Sequence, residues 1–115
     1  MARGPNPNFM AGVPELVILN LLREQEMYGY QIVQAIRTGS SGTLSLAEGV
    51  IYPVLHELKQ EGALKARRQT VEGRSRVYYK LTAKGQARLT ALTSDWSGLT
   101  AAIQAMLGGR HARAV

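Results

Sequence analysis

The chain has 115 residues, 45% hydrophobic and 19% charged with no cysteine, which is the size and balance of one globular domain. No apolar run approaches the ~20 residues of a membrane span, and without cysteine there can be no disulfide, thiolate zinc site or cysteine nucleophile. The formal net charge of +6 is localised: Lys65, Arg67, Arg68, Arg74, Arg76, Lys80 and Lys84 share one stretch with a single acid, Glu72, and the rest of the chain has seven basic and seven acidic residues.

Residues 1–12, rich in Pro, Asn and Gly, read as a flexible arm without the apolar core of a signal peptide. That makes a cytoplasmic protein with no membrane contact the expectation. Val13 to Glu24 is densely apolar and predicts a largely buried helix with Pro14 in its first turn. A second helix is predicted from about Tyr28 to Thr38, with Tyr28, Ile32, Val33 and Ile36 on one face. Gly39-Ser40-Ser41-Gly42 breaks it.

Ser45-Leu46-Ala47-Glu48 fits a capping box with Ser45 as N-cap of a third helix. Val50, Ile51, Val54, Leu55 and Leu58 form its expected buried stripe, and Gly62 ends it. Pro53 should bend this helix, because it cannot donate to the carbonyl of Gly49. Strands are then predicted over Leu64–Val71 and Arg76–Leu81, joined by the turn Glu72-Gly73-Arg74-Ser75.

Thr82 is the expected N-cap of a last helix that stops at Gly108-Gly109. Its Leu89, Leu92, Trp96, Leu99, Ile103 and Met106 are spaced 3, 4, 3, 4, 3, a heptad seam. At 1.5 Å per residue the helix is nearly 40 Å long, longer than so small a domain is wide. A second copy of the chain is the simplest cover for the excess, giving a homodimer. The organisation is thus an arm (1–12), a winged helix-turn-helix unit (13–81), a dimerisation helix (82–108) and a disordered tail (109–115). The fold class is mainly α with a small β-hairpin.

The order helix, helix, helix, hairpin, long helix is the winged-helix layout, in which the third helix enters the major groove and the wing lies on the backbone. Four motifs occur in sequence: Tyr28-Gly29-Tyr30; Glu48-Gly49-Val50-Ile51-Tyr52-Pro53-Val54-Leu55-His56-Glu57-Leu58; Glu61-Gly62; and Arg76-Val77-Tyr78-Tyr79-Lys80-Leu81-Thr82-Ala83-Lys84-Gly85. Together they resemble the PadR family of bacterial transcriptional regulators, from about Val13 to Leu107. The chain departs from the family at Val50, where Thr is common, and in a short wing turn. The resemblance implies a dimeric winged-helix repressor that pairs through its C-terminal helix and releases DNA when a small effector binds. It also implies that proline is tolerated at position 53.

The DNA-binding candidates are Tyr30, Gly49, Tyr52, Pro53, His56 and Lys59, with Arg74 and Arg76 of the wing. Polar groups on the exposed side of the third helix can reach phosphates or base edges, and Arg74 is expected at the hairpin tip. Arg67 and Arg68 should face opposite ways, as should Tyr78 and Tyr79. Leu89, Leu92, Trp96, Leu99, Ile103 and Met106 are the candidates for the dimer interface and effector pocket. Trp96 is either a dimer-core aromatic or a flat wall for a planar apolar effector, as in some members of the resembled family.

No catalytic constellation is evident. His56 and His111 are the only histidines, Asp95 is the only aspartate, and Ser45 and Ser75 lack an activating base. No metal site or cofactor is expected. A different reading gives the basic face to RNA or to an acidic protein, without ligand sensing.

Overall fold

The computed structural model describes residues 12–108; the expected arm, all but one of its residues, and the tail lie outside them. The elements are α1 (Val13–Glu24), β1 (Met27–Tyr28), α2 (Gly29–Gly39), α3 (Glu48–Gln60), β2 (Leu64–Val71), β3 (Arg74–Leu81) and α4 (Ala83–Leu107). The strands form one antiparallel sheet in the order β1-β3-β2. Ile18, Leu19 and Leu22 of α1, Ile32 and Ile36 of α2, and Ile51, Leu55 and Leu58 of α3 bury the core. Leu64 and Tyr79 close it on the sheet side. At about 25 cal/mol per Å² of apolar surface removed from water, these side chains are the main stabilising term.

α1 spans the residues that the apolar run marks, with Pro14 in its first turn. Tyr28 is not helical. It pairs with Tyr78 in β1, as Met27 pairs with Tyr79, and α2 starts one residue later. The N–H of Tyr28 donates to Gln31 Oε1 at 3.1 Å, tying strand to helix. After α2 the Ser40 hydroxyl donates to the Ile36 carbonyl and accepts from the Leu44 N–H, both at 2.8 Å.

The expected capping box at Ser45 does not form. Leu46 is buried in the core, and Ala47, with extended backbone, becomes the N-cap of α3 with no side-chain cap. The Ala47 carbonyl accepts from Val50 N–H and Ile51 N–H at 2.9 and 3.0 Å. Val50 leaves the buried stripe, 42% exposed, while Ile51 is fully buried. Pro53 lies inside α3, which runs from Glu48 to Gln60; the Gly49 carbonyl it leaves without a donor belongs to an exposed residue, where water can replace the missing N–H.

Gly62 terminates α3 at φ +84°. Its N–H donates to the Lys59 carbonyl and that of Ala63 to the Leu58 carbonyl, at 3.0 and 2.9 Å. These two bonds complete a Schellman motif whose apolar partners, Leu58 and Ala63, are both buried. The hairpin turn is only Glu72-Gly73, with φ of 52° and 78°. Two positive φ values in a two-residue loop match the twist of the strands. Arg74 therefore belongs to β3, opposite Val71, rather than to the tip.

Thr82 caps α4: its Oγ1 accepts from Gly85 N–H at 3.0 Å and donates to the Gly62 carbonyl at 2.7 Å. Arg88 then joins α4 to Glu15 of α1 and to Glu61 at the end of α3. The expected seam divides. Leu89 is 2% exposed inside its own chain's core and so cannot belong to an interface, and Leu92 packs against that core. Beyond them the apolar side chains are bare, from Trp96 at 44% to Met106 at 70% exposure.

Candidate nucleic-acid interface

α3 carries Gly49, Tyr52, Pro53, His56 and Lys59 at helical spacing on its exposed side. Gln60 Nε2 lies 3.4 Å from His56 Nε2 on the same side. Tyr52 leans on α2, where its ring covers Gly29 so closely that a Cβ there would sit 2.3 Å from Tyr52 Oη. Burial, reinforced by Glu48 and Tyr79, raises the Tyr52 phenol above its ordinary pKa. It stays protonated at neutral pH and can donate a hydrogen bond.

β1 is two residues long, so β3 is unpaired on that side from Arg74 to Val77. A cleft of about 500 Å³ opens there, between the wing and the helices. Tyr28, Tyr30, Tyr52, Arg74 and Arg76 line it. The Arg76 guanidinium lies 4.4 Å over the Tyr28 ring. Tyr28 meets Tyr78 edge to face, centroids 5.4 Å apart. Tyr30, half exposed, accepts a 2.8 Å hydrogen bond from Gln34 Nε2. Guanidiniums held over rings keep their charge outward at little entropic cost, which suits phosphate contact.

Four of the sequence-derived candidates, Tyr30, Tyr52, Arg74 and Arg76, thus meet in one cleft. Gly49, Pro53, His56 and Lys59 share the face of α3 but do not line it. Tyr28 was missed, because a two-residue strand leaves no alternation to read. Arg67 and Arg68 do face opposite ways. Arg67 Nε donates to Glu26 Oε1 at 2.9 Å and its guanidinium lies 5.1 Å over Tyr78, whereas Arg68 Nη1 donates to Ser75 Oγ at 3.1 Å. Tyr79 packs against the core and Tyr78 does not.

Trp96, Leu99, Ile103 and Met106 lie apart from this cleft, exposed on α4. Among the described residues no group of three or more His, Cys, Asp or Glu could hold a metal ion, and no helix is long and apolar enough to cross a membrane. His111 lies outside them.

Residues 18–91 match the family described as transcriptional regulator PadR-like. A transcriptional regulator of Mycobacterium tuberculosis is 31% identical over 102 residues, covering 89% of this chain and 90% of the relative. A solved transcriptional regulator from Clostridium thermocellum superposes with a TM-score of 0.79 at 26% identity, over 84% of this chain and 95% of the other. A PadR-like transcription factor from Bacteroides fragilis gives 0.71 at 30% identity, over 86% and 94%.

Proposed function

The chain belongs to the PadR-like family of transcriptional regulators, and on that premise we propose that it is a dimeric, cytoplasmic repressor released from its operator by a small effector. It is a DNA-binding transcription regulator of winged-helix fold. One observation, that Tyr52 of the third helix and Arg74 and Arg76 of the wing line a single cleft, carries the finer reading. In it α3 enters the major groove, with Tyr52, His56 and Lys59 toward base edges and phosphates, and Gly49 and Pro53 allow close approach of the helix start. Arg74, Arg76 and Tyr30 hold the backbone.

The bare half of α4 supports pairing with a second copy. Trp96, Leu99, Ile103 and Met106 form a stripe that water would otherwise cover. Residues 13–81 act as the reading unit and 82–108 as the pairing helix, whose Leu89 is buried in the core of the reading unit and whose Leu92 packs against it. Trp96 offers a flat wall at that interface to a planar apolar effector.

Selection of fragmented genomic DNA with the purified protein tests this reading. One pseudo-palindromic site, with half-sites about one helical turn apart, is expected. Retention of RNA or protein with no enriched duplex would overturn it.

A further inference from the structure

Strand alternation gathers most of the basic stretch on one face of the sheet. Lys65 and Arg67 of β2, with Arg74, Arg76 and Lys80 of β3, fall on the outer face of the sheet, opposite the face on which Leu64, Tyr79 and Leu81 meet the core. Lys65 is paired directly with Lys80. Like charges in that register destabilise a sheet unless an anion lies over them. Glu26, Lys65, Arg67, Tyr78 and Lys80 line a depression of about 280 Å³. Glu26 is the one carboxylate in it, and the hydrogen bond from Arg67, aided by the charges of Arg67 and Lys80, holds its pKa below the ordinary range. The depression therefore already favours an anion, and one carboxylate does not balance three cations.

We infer that this outer face is a second phosphate-contact surface, taken by duplex DNA that flanks the bases α3 reads. The chemistry selects that occupant. Arg76 and Arg67 cover the Tyr28 and Tyr78 rings, so the face presents cations rather than free rings on which unpaired bases could stack. Its single aliphatic residue, Val71, gives no apolar surface for a lipid interface. The track is continuous with the cleft through Arg74 and Arg76. From Arg74 to Lys80 it spans about 20 Å, the length of roughly six base pairs. DNA following it must bend toward the wing, an elastic cost that added phosphate contacts offset.

This inference rests on the DNA-binding reading, and the chain's four lysines separate the two: Lys59 reports α3, Lys65 and Lys80 report the outer face, and Lys84 begins α4. The test is lysine acetylation read by mass spectrometry on the full chain, with one equivalent per dimer of a random-sequence duplex of about 40 base pairs or of about 14. The longer duplex is expected to protect Lys59, Lys65 and Lys80 together, and the shorter one Lys59 alone. Replacing both outer lysines (K65Q/K80Q) should lower the slope of log K against log salt by about 1.8 per protomer on the long duplex and leave it unchanged on the short one. Lys59 protected while Lys65 and Lys80 react as in free protein would overturn the inference and leave the α3 reading standing. Reactive Lys59 with protected Lys65 and Lys80 would do the reverse. Protection that needs a second equivalent of duplex, or that appears only with phosphatidylglycerol vesicles, would also overturn it.

Discussion

The phenol of Tyr52 lies against Gly29, with its Oη, Cε1 and Cζ 2.3 to 2.5 Å from where a Cβ would stand. The middle residue of Tyr28-Gly29-Tyr30 is thus small because a side chain of the next helix occupies its space. The contact also fixes how far Tyr52 projects into the cleft.

Gly29→Ala should displace that ring. The backbone there is helical, so alanine is otherwise the better residue. A stability loss of about 1–2 kcal/mol is expected, because the half-exposed ring can move. Loss of DNA affinity should be the larger effect. In the double variant G29A/Y52A the clash has no partner, so melting should return to the level of Tyr52→Ala alone. Thermal melts of the four proteins check this; an additive double variant would remove Tyr52 as the cause.

Two leucines of one heptad pattern should behave differently. Leu89→Ala opens the core of a single chain and should cost about 2–5 kcal/mol. Leu99→Asp with Ile103→Asp changes only exposed positions. It should leave the fold intact by circular dichroism and give monomers by light scattering. An unaltered dimer would place the interface elsewhere.

Glu26 links charge to pH. Its carboxyl is held below the unfolded value of about 4.3, chiefly by the Arg67 hydrogen bond. The stability it contributes is present above that pH and is lost as pH falls through the lowered folded value. Glu26→Gln should therefore show a constant difference from wild type at neutral pH that closes below about pH 4. Melting temperatures against pH measure it, and parallel curves throughout would rule the ion pair out as the cause.

The only tryptophan makes effector binding visible. Planar apolar ligands should quench or shift Trp96 emission, and the same ligands should weaken DNA binding. Unchanged emission across a panel of phenolic acids and cationic dyes would leave Trp96 as a packing residue only.

Much of the fold was legible because its signals are local. The apolar run of α1, the hydroxyl of Thr82 and the alternating residues of the hairpin each act over a few residues. What could not be read depends on distant partners. Ser45 loses its capping role because Leu46 is drawn into a core built by other helices. Val50 lies in the first turn of α3, at the edge of the stripe, and is left exposed while Ile51 beside it is buried. β1 exists only because β3 offers it two residues to pair with, and Leu89 leaves the seam because α4 packs against α1 beside it, where Arg88 meets Glu15. At the candidate interface, residue types named Tyr52, Arg74 and Arg76, but the hold of Tyr28 on Arg76 and of Glu26 on Arg67 comes from strand register.

The most direct test is a salt titration of DNA binding by wild type, Arg74→Ala and Tyr52→Ala, on the selected operator and on random duplex. Arg74→Ala should weaken both and reduce the salt slope by about 1 per protomer. Tyr52→Ala should cost about 1–3 kcal/mol on the operator and little on random DNA. Binding by both variants that matches wild type at every salt concentration would contradict an interface built from α3 and the wing.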